Sequence, residues 1–293
     1  MSWTAATTDR LADLRRTIAA LEGRPAAAER FDAAALERSR EAGGSDAVLP
    51  FGVEAVDRRL GAGGLALGAL HEIACDESRE AGAVTGFATA LLARLAARRP
   101  GRILWIVATE ARRETGRLDA PGLAAFGLDP GRLVEVAAAD ATEALWAFEE
   151  GLACRGTAAV VAEIPGRPTV LDLTATRRLA LRAGADAGRA LGLLLRVAGP
   201  AQTTAAATRW RVGAARSRPL DGFAPGLGRP TFRLELEKNR DGRLGTFDLE
   251  WSSHDRRFAL LPAHPGALSA ESLDRPAASP GPGRILAFER PRR

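Results

Sequence analysis

Apolar residues fall at a three-four spacing in residues 8–22, where Leu11, Leu14, Ile18 and Leu21 share one helical face and arginines and acids fill the other. Gly23 and Pro25 end this predicted helix. It either docks on its own domain or is held out as a partner helix on the flexible stretch EAGGSDA at 41–47. From Leu49 the pattern changes. Apolar runs at 69–74, 102–108, 158–164 and 191–198 predict buried strands, and helical stretches near 83–98, 140–153 and 172–189 separate them. Strands alternating with helices imply βαβ units, right-handed crossovers and a largely parallel sheet. After 204, the segments TRWRV, TFRLELE and GTFDLEW alternate with period two between DG and Gly/Pro turns. They predict antiparallel strands that complete the sheet. Residues 262–283, rich in Pro, Ala, Ser and Gly, read as a flexible tail. The ending RILAFERPRR carries Arg290, Arg292 and Arg293 as candidates for a short binding motif. The predicted organisation is a helix and linker at 1–47, an α/β core at 48–261 and a Pro/Arg-rich tail at 262–293.

Composition narrows the class. With 293 residues and 46% hydrophobic content the chain can bury a full core. No apolar run approaches the ~20 residues of a membrane span, and the first thirty residues hold no uninterrupted apolar block of a secretory signal. A cytoplasmic protein is expected. Cys75 and Cys154 lie far apart with no Cys or His at ligand spacing, which predicts reduced thiols and no metal site. The net charge is +5, and of 41 basic residues a single one, Lys238, is lysine. Arginine suits phosphates and protein carboxylates equally, so this charge permits nucleic-acid contact without demanding it.

The stretch GAGGLALGALHEIACDESREAGAVTGF, Gly61 to Phe87, has the layout of a strand, a turn and a helix around a phosphate-binding loop. Such a loop surrounds phosphate with backbone N–H groups and a helix N-terminus, and adds a lysine and a magnesium-holding hydroxyl. Here Gly82 and Gly86 give backbone freedom and Thr85 a hydroxyl, but no lysine is near. Arg79 asks for a different geometry from an ammonium. Asp76, Glu77 and Glu80 set carboxylates where phosphate oxygens would sit, at a cost on the order of several kcal/mol in a poorly solvated pocket. Tight nucleotide binding at Cys75, Asp76, Glu77, Ser78, Gly82 and Thr85 is therefore not expected, nor is any cofactor. Two strands end in acids, GRILWIVATE at Glu110 and TAAVVAEIPG at Glu163, where an NTPase would hold magnesium or activate water. A solvated acid at a strand end is the plainer reading of each. Arg209 and Arg211 share one face of TRWRV with Trp210 on the other, either a weak phosphate-contacting row or an ordinary strand face. His71, beside Glu72 in a buried strand, reads as a packed histidine. His254, His264 and Ser78 belong to no nucleophile pattern.

LPFGVEAVDRRLGAGGLALGALHEI resembles the lead-in to the phosphate loop of the RecA recombinases. LELEKNRDGRLGTFDLEW resembles the segment by which RecA and the hexameric helicases reach a neighbouring subunit's nucleotide, with Lys238 and Arg240 at the matching positions. The likeness covers roughly residues 49–252. With LRRTIAALEG, AATRWRV and the arginine-rich end, the whole resembles the ImuA family, whose older group name is SulA-like. The resemblance implies a RecA-like three-layer sandwich with a degenerate nucleotide site. It further implies a non-catalytic role in SOS mutagenesis and translesion synthesis beside an ImuB-like Y-family polymerase homologue, an error-prone DNA polymerase III α-type subunit and RecA. Lys238 and Arg240, the helix residues Leu11, Leu14, Ile18 and Leu21, and the terminal arginines are then the partner-facing candidates. The segments PGRPTVLDLT and GPAQTTAA stand where RecA has DNA-gripping loops and are shorter, so direct DNA contact is expected to be weak. An ATPase built from Glu110, Glu163, Lys238 and Arg240, and a SulA-like inhibitor of cell division, are the alternatives.

Overall fold

The computed structural model describes residues 47–185, 190–199, 202–218, 227–240 and 243–262. The helix candidates Leu11, Leu14, Ile18 and Leu21 and the terminal Arg290, Arg292 and Arg293 lie outside the described residues. Val48–Leu49 (β1) and Leu65–Ala66 (β2) form a small antiparallel pair. Between them run a short helix, Glu54–Asp57 (α1), and a helical turn at Arg58–Leu60. The pair closes over Gly64, where a Cβ would meet the Leu49 carbonyl oxygen at 2.5 Å. Only glycine permits that approach.

The main sheet starts with Leu70–Ala74 (β3), which leads into Ala81–Arg98 (α2) and Arg102–Ala108 (β4). Two short helices, Thr109–Thr115 (α3) and Ala120–Ala125 (α4), precede Leu133–Ala138 (β5). Ala141–Ala153 (α5), Thr157–Pro165 (β6), Leu173–Gly184 (α6) and Leu191–Val197 (β7) follow. Thr208–Ala214 (β8), Thr231–Asn239 (β9), Gly245–Ser252 (β10) and Arg257–Leu260 (β11) complete the order. The nine-stranded order is β11-β10-β9-β8-β3-β7-β6-β4-β5. From β8 to β5 the pairs are parallel, and β9, β10 and β11 extend them antiparallel. This is the expected α/β class, a mostly parallel sheet lengthened by antiparallel strands.

The apolar runs form the central strands because both their faces are covered; β7 is buried at every position. α2, α3 and α4 lie on one face, with Gly82 and Thr85 of α2 opposite Asp119 and Phe126 across a cavity. α5 packs on the other face, where Gly151 approaches Leu104 and Val160. Three layers result. α2 is rich in alanine, and Ala88, Ala90 and Ala93 are fully buried, which lets the helix sit close to the sheet. Arg132 finishes α2 by donating to the Ala96, Arg99 and Gly101 carbonyls at 2.6–2.8 Å, groups that would otherwise lack partners. Asp119, Asp140 and Asp172 cap the amino ends of α4, α5 and α6. Phe51, Phe87, Trp210, Phe232, Trp251 and Phe258 form one aromatic cluster with ring centroids 4.8–6.4 Å apart. It joins α2 to the antiparallel half of the sheet.

Beneath that cluster His71 is buried. A carbonyl only accepts, so His71 Nε2 donates to Ala66 O at 2.9 Å, and Nδ1 then accepts from Thr208 Oγ1 at 2.8 Å. Trp210 Nε1 donates to the same hydroxyl oxygen at 2.9 Å. The ring is neutral, and burial drives its pKa down to about 4. Between the ordinary histidine value of ~6.5 and about 4, the unfolded chain binds this proton and the folded chain does not. His71 thus supports stability above pH 6.5 and costs it as pH falls through that window. We predict that the unfolding free energies of the wild type and His71→Leu, measured by urea titration, converge by roughly 3 kcal/mol between pH 7.5 and pH 4.

Candidate functional site

The turn Cys75–Glu80 carries the chain from β3 into α2 at the carboxyl edge of the sheet. It tightens into a helical turn at Ser78–Glu80, and no side chain caps the first N–H groups of α2. Protein groups meet its polar side chains. Asp76 pairs with Arg211, which also donates through Nε to Glu237 Oε1 at 2.6 Å. Ser78 donates to Glu114, and Arg79 pairs with Glu77 at 2.8 Å on the surface. Cys75 is buried: its N–H donates to Arg196 O at 3.0 Å, and burial pushes its thiol pKa up. Gly82 faces open space and Thr85 lines the cavity beside α2. The turn therefore brings Asp76, Glu77, Glu80 and Glu114 together at a helix N-terminus, with no lysine among them.

Arg209 is not on a surface. Its guanidinium reaches Glu72 Oε2 at 3.2 Å and the Gln202 carbonyl, and the residue is 9% exposed. Alternation correctly separates it from Trp210, but residues 202–207 cover that face of β8. Arg196 of β7 stands on the other side of Glu72. It donates to Gly166 O at 2.7 Å and Gln202 Oε1 at 3.0 Å; burial lowers its pKa and Glu72 opposes that shift. The Nε atoms of Arg196 and Arg209 have no hydrogen-bond partner among the described residues. Arg211, two positions along, keeps part of its side chain exposed but holds two carboxylates. Lys238 donates to Thr204 O, and Arg240 reaches Ala205 O at 3.2 Å. Burial lowers the Lys238 pKa, and Arg240 and Arg209 add to the shift. The two basic residues of EKNR thus lie together against the segment that covers Arg209.

The two strand-end acids part company. Glu110 is exposed in the first turn of α3. Glu163 is 4% exposed and sits within 2.6 Å of the Thr115 hydroxyl, and burial raises its pKa. It lines the cavity between α2 and α4. No group of three or more His, Cys, Asp and Glu at metal-holding geometry occurs among the described residues, and no described helix is long and apolar enough to cross a membrane.

No family model matches the chain. Protein ImuA of Caulobacter vibrioides, in strains NA1000 and CB 15, is 36% identical over 251 residues, covering 81% of this chain and 95% of that protein. The chain belongs to the ImuA family. This ImuA-family chain spans nearly the full length of those relatives, so the aligned span takes in most of the sheet and its helices.

Sequence reasoning did not single out Arg196, Glu114, Thr115 or Glu237. Arg196 carried a readable signal, an arginine inside the apolar run LGLLLRV, which requires a buried partner. The others depend on long-range approach and left none. Glu72 between two buried arginines makes an asymmetric prediction. Glu72→Gln strands two guanidinium groups, whereas Arg209→Gln leaves Glu72 beside Arg196. Glu72→Gln should cost about 3–5 kcal/mol of unfolding free energy and Arg209→Gln clearly less, as read by chemical denaturation.

Proposed function

We propose that this ImuA-family chain is a non-catalytic, RecA-like accessory protein of SOS mutagenesis and translesion DNA synthesis. It works by protein contacts with an ImuB-like Y-family polymerase homologue, an error-prone DNA polymerase III α-type subunit and RecA. One observation carries the non-catalytic part. The turn that would hold phosphates is lined by Asp76, Glu77, Glu80 and Glu114, and the arginine that reaches it, Arg211, is already shared between Asp76 and Glu237. A triphosphate entering there would face carboxylates and would have to break that pair. Family membership supports the setting in mutagenesis.

Lys238 and Arg240 supply the partner-facing chemistry. Both are cations held at the edge where β9 meets residues 204–205, and their bonds there go to carbonyls, so their charge is not cancelled by a bonded carboxylate. An acidic partner surface is the complement.

Two measurements test this reading. Calorimetric titration with magnesium-ATP at millimolar concentration should give flat heats, and a steady-state assay no hydrolysis. Saturable binding with turnover would replace this reading with the ATPase. The Lys238→Glu/Arg240→Glu variant, folded by circular dichroism, should lose at least tenfold in capture of the ImuB-like partner from damaged cells and lose induced mutagenesis with it. Wild-type levels of both would remove these residues from the contact.

A further inference from the structure

The cavity between α2 and α4 has no part in the adaptor role and opens at a telling place. The connections after β4 run through α3 and α4 on one face of the sheet, while β6 leads into α6 on the opposite face. β4 and β6 are neighbours, with Val107 and Glu163 paired in register at their carboxyl ends, and both residues line the cavity. Adjacent strands whose connections diverge in this way leave a crevice, where α/β sheets take ligands.

The space amounts to about 250 Å³. That lies just under the ~300 Å³ at which pockets for drug-sized molecules begin. Its walls are mainly apolar, with Val107, Leu118, Leu123 and Phe126 around it. Glu163 is its buried ionisable group, and Thr89 is a second buried polar residue in the lining. Thr115 Oγ1 lies 2.6 Å from Glu163 Oε1 and 2.8 Å from Ala111 O, and a hydroxyl has one proton for the two. An ionised Glu163 must draw that proton from the Ala111 carbonyl, whereas a protonated Glu163 donates to the hydroxyl and leaves it for Ala111. Burial raises the Glu163 pKa, while the Thr115 hydroxyl and the Trp105 indole favour the charged form and oppose that shift. The bond from Thr115 goes to Oε1, and the buried Trp105 indole N–H, which has no other partner among the described residues, stands beside the same carboxyl.

Every other charge facing the cavity is nearer its mouth. Asp119 caps α4 through Gly122 N, Glu135 of β5 is paired with Arg112 of α3, and Arg117 is exposed on the connecting segment. The lining is therefore net acidic, and its buried acceptor lacks a cation. A phosphate or carboxylate would meet like charge at depth, whereas a cation would find an acceptor and an apolar wall.

We infer that this cavity binds a compact organic cation, an amidinium, guanidinium or ammonium head on an apolar body. Glu163 takes the N–H donors of the head through Oε2, and Phe126 and Leu123 take the body. The cation requires an ionised Glu163, so affinity is greatest above the folded pKa of Glu163 and falls as pH drops through it. The head belongs either to a free amine or to an arginine or lysine side chain of a bound protein, and the experiment separates the two.

The test is calorimetric titration of the full chain with benzamidine, agmatine and a capped arginine tripeptide. Benzamidine should bind with a Kd on the order of 1 mM or tighter. Glu163→Gln, which keeps the acceptor for Thr115 but not the charge, should weaken it at least tenfold. Gly82→Leu, with its fold checked by circular dichroism, should do the same by filling the mouth, since a Cβ at Gly82 meets nothing within 4 Å. Tighter binding of the tripeptide than of agmatine assigns the site to a protein side chain; the reverse order assigns it to a free amine. No binding of any probe at 10 mM, or equal binding by Glu163→Gln, overturns the inference. A positive result here is independent of whether the chain hydrolyses ATP.

Discussion

A carboxylate in the middle of the central strand dictates much of what surrounds it. Glu72 is 3% exposed in β3, and a charge at that depth persists only if it is neutralised. The strands on either side supply the neutralisation, Arg209 from β8 and Arg196 from β7. Strand order and register are therefore specified by charge as well as by apolar burial. A slip of one residue would turn Arg209 to the face occupied by Trp210 and bury two uncompensated groups. The arginines also need acceptors, and Gln202 supplies its carbonyl to one and its side-chain oxygen to the other. Residues 202–207 are thereby drawn across the sheet, and Lys238 and Arg240 bind the carbonyls of that segment. Arg211 carries the network outward to Asp76 in the turn before α2.

The two faces of the sheet then hold different chemistry. On the face of α5 and α6, buried charges meet one another and backbone carbonyls, with the Nε atoms of Arg196 and Arg209 left without a partner among the described residues. On the face of α2, the interior is aromatic and apolar, His71 is neutral, and Glu163 lies between the Thr115 hydroxyl, the Trp105 indole and a cavity. A turn whose Asp76 is bound to Arg211 can be stable without a phosphate, because the ion pair supplies locally the charge balance that a nucleotide and lysine would bring.

The central strands were legible because burial on both faces leaves uninterrupted apolar runs. β5 was not: it is the edge strand, LVEVAA places Glu135 amid its apolar residues, and half its positions are open to solvent. α3 and α4 are too short to show a period, and α4 contains both Pro121 and Gly122. At the site, the turn and the acids at strand ends were visible as residue types. What separates exposed Glu110 from buried Glu163 is the segment from Thr115 to Phe126 folding back over β6, which no local pattern announces. Arg209 is the same case in reverse. Alternation told which face it takes, but not that Gln202 and its neighbours cover that face.

The segments that follow β6 and β7 share an anchor. Arg196 donates to Gly166 O and to Gln202 Oε1, Gly166 N donates to Val197 O, and Ala205 N donates to Thr176 of α6. Gly199 lies against the Gly166 carbonyl so closely that no Cβ fits between them. Gly166 and Gln202 thus supply the acceptors of Arg196, the guanidinium that faces Glu72 from β7. Losing either acceptor would leave a buried guanidinium N–H without a partner, at a cost of about 1–3 kcal/mol. The described ends of both segments are thereby tied to one guanidinium of the sheet, and the arginine inside the apolar run LGLLLRV is what sets their position.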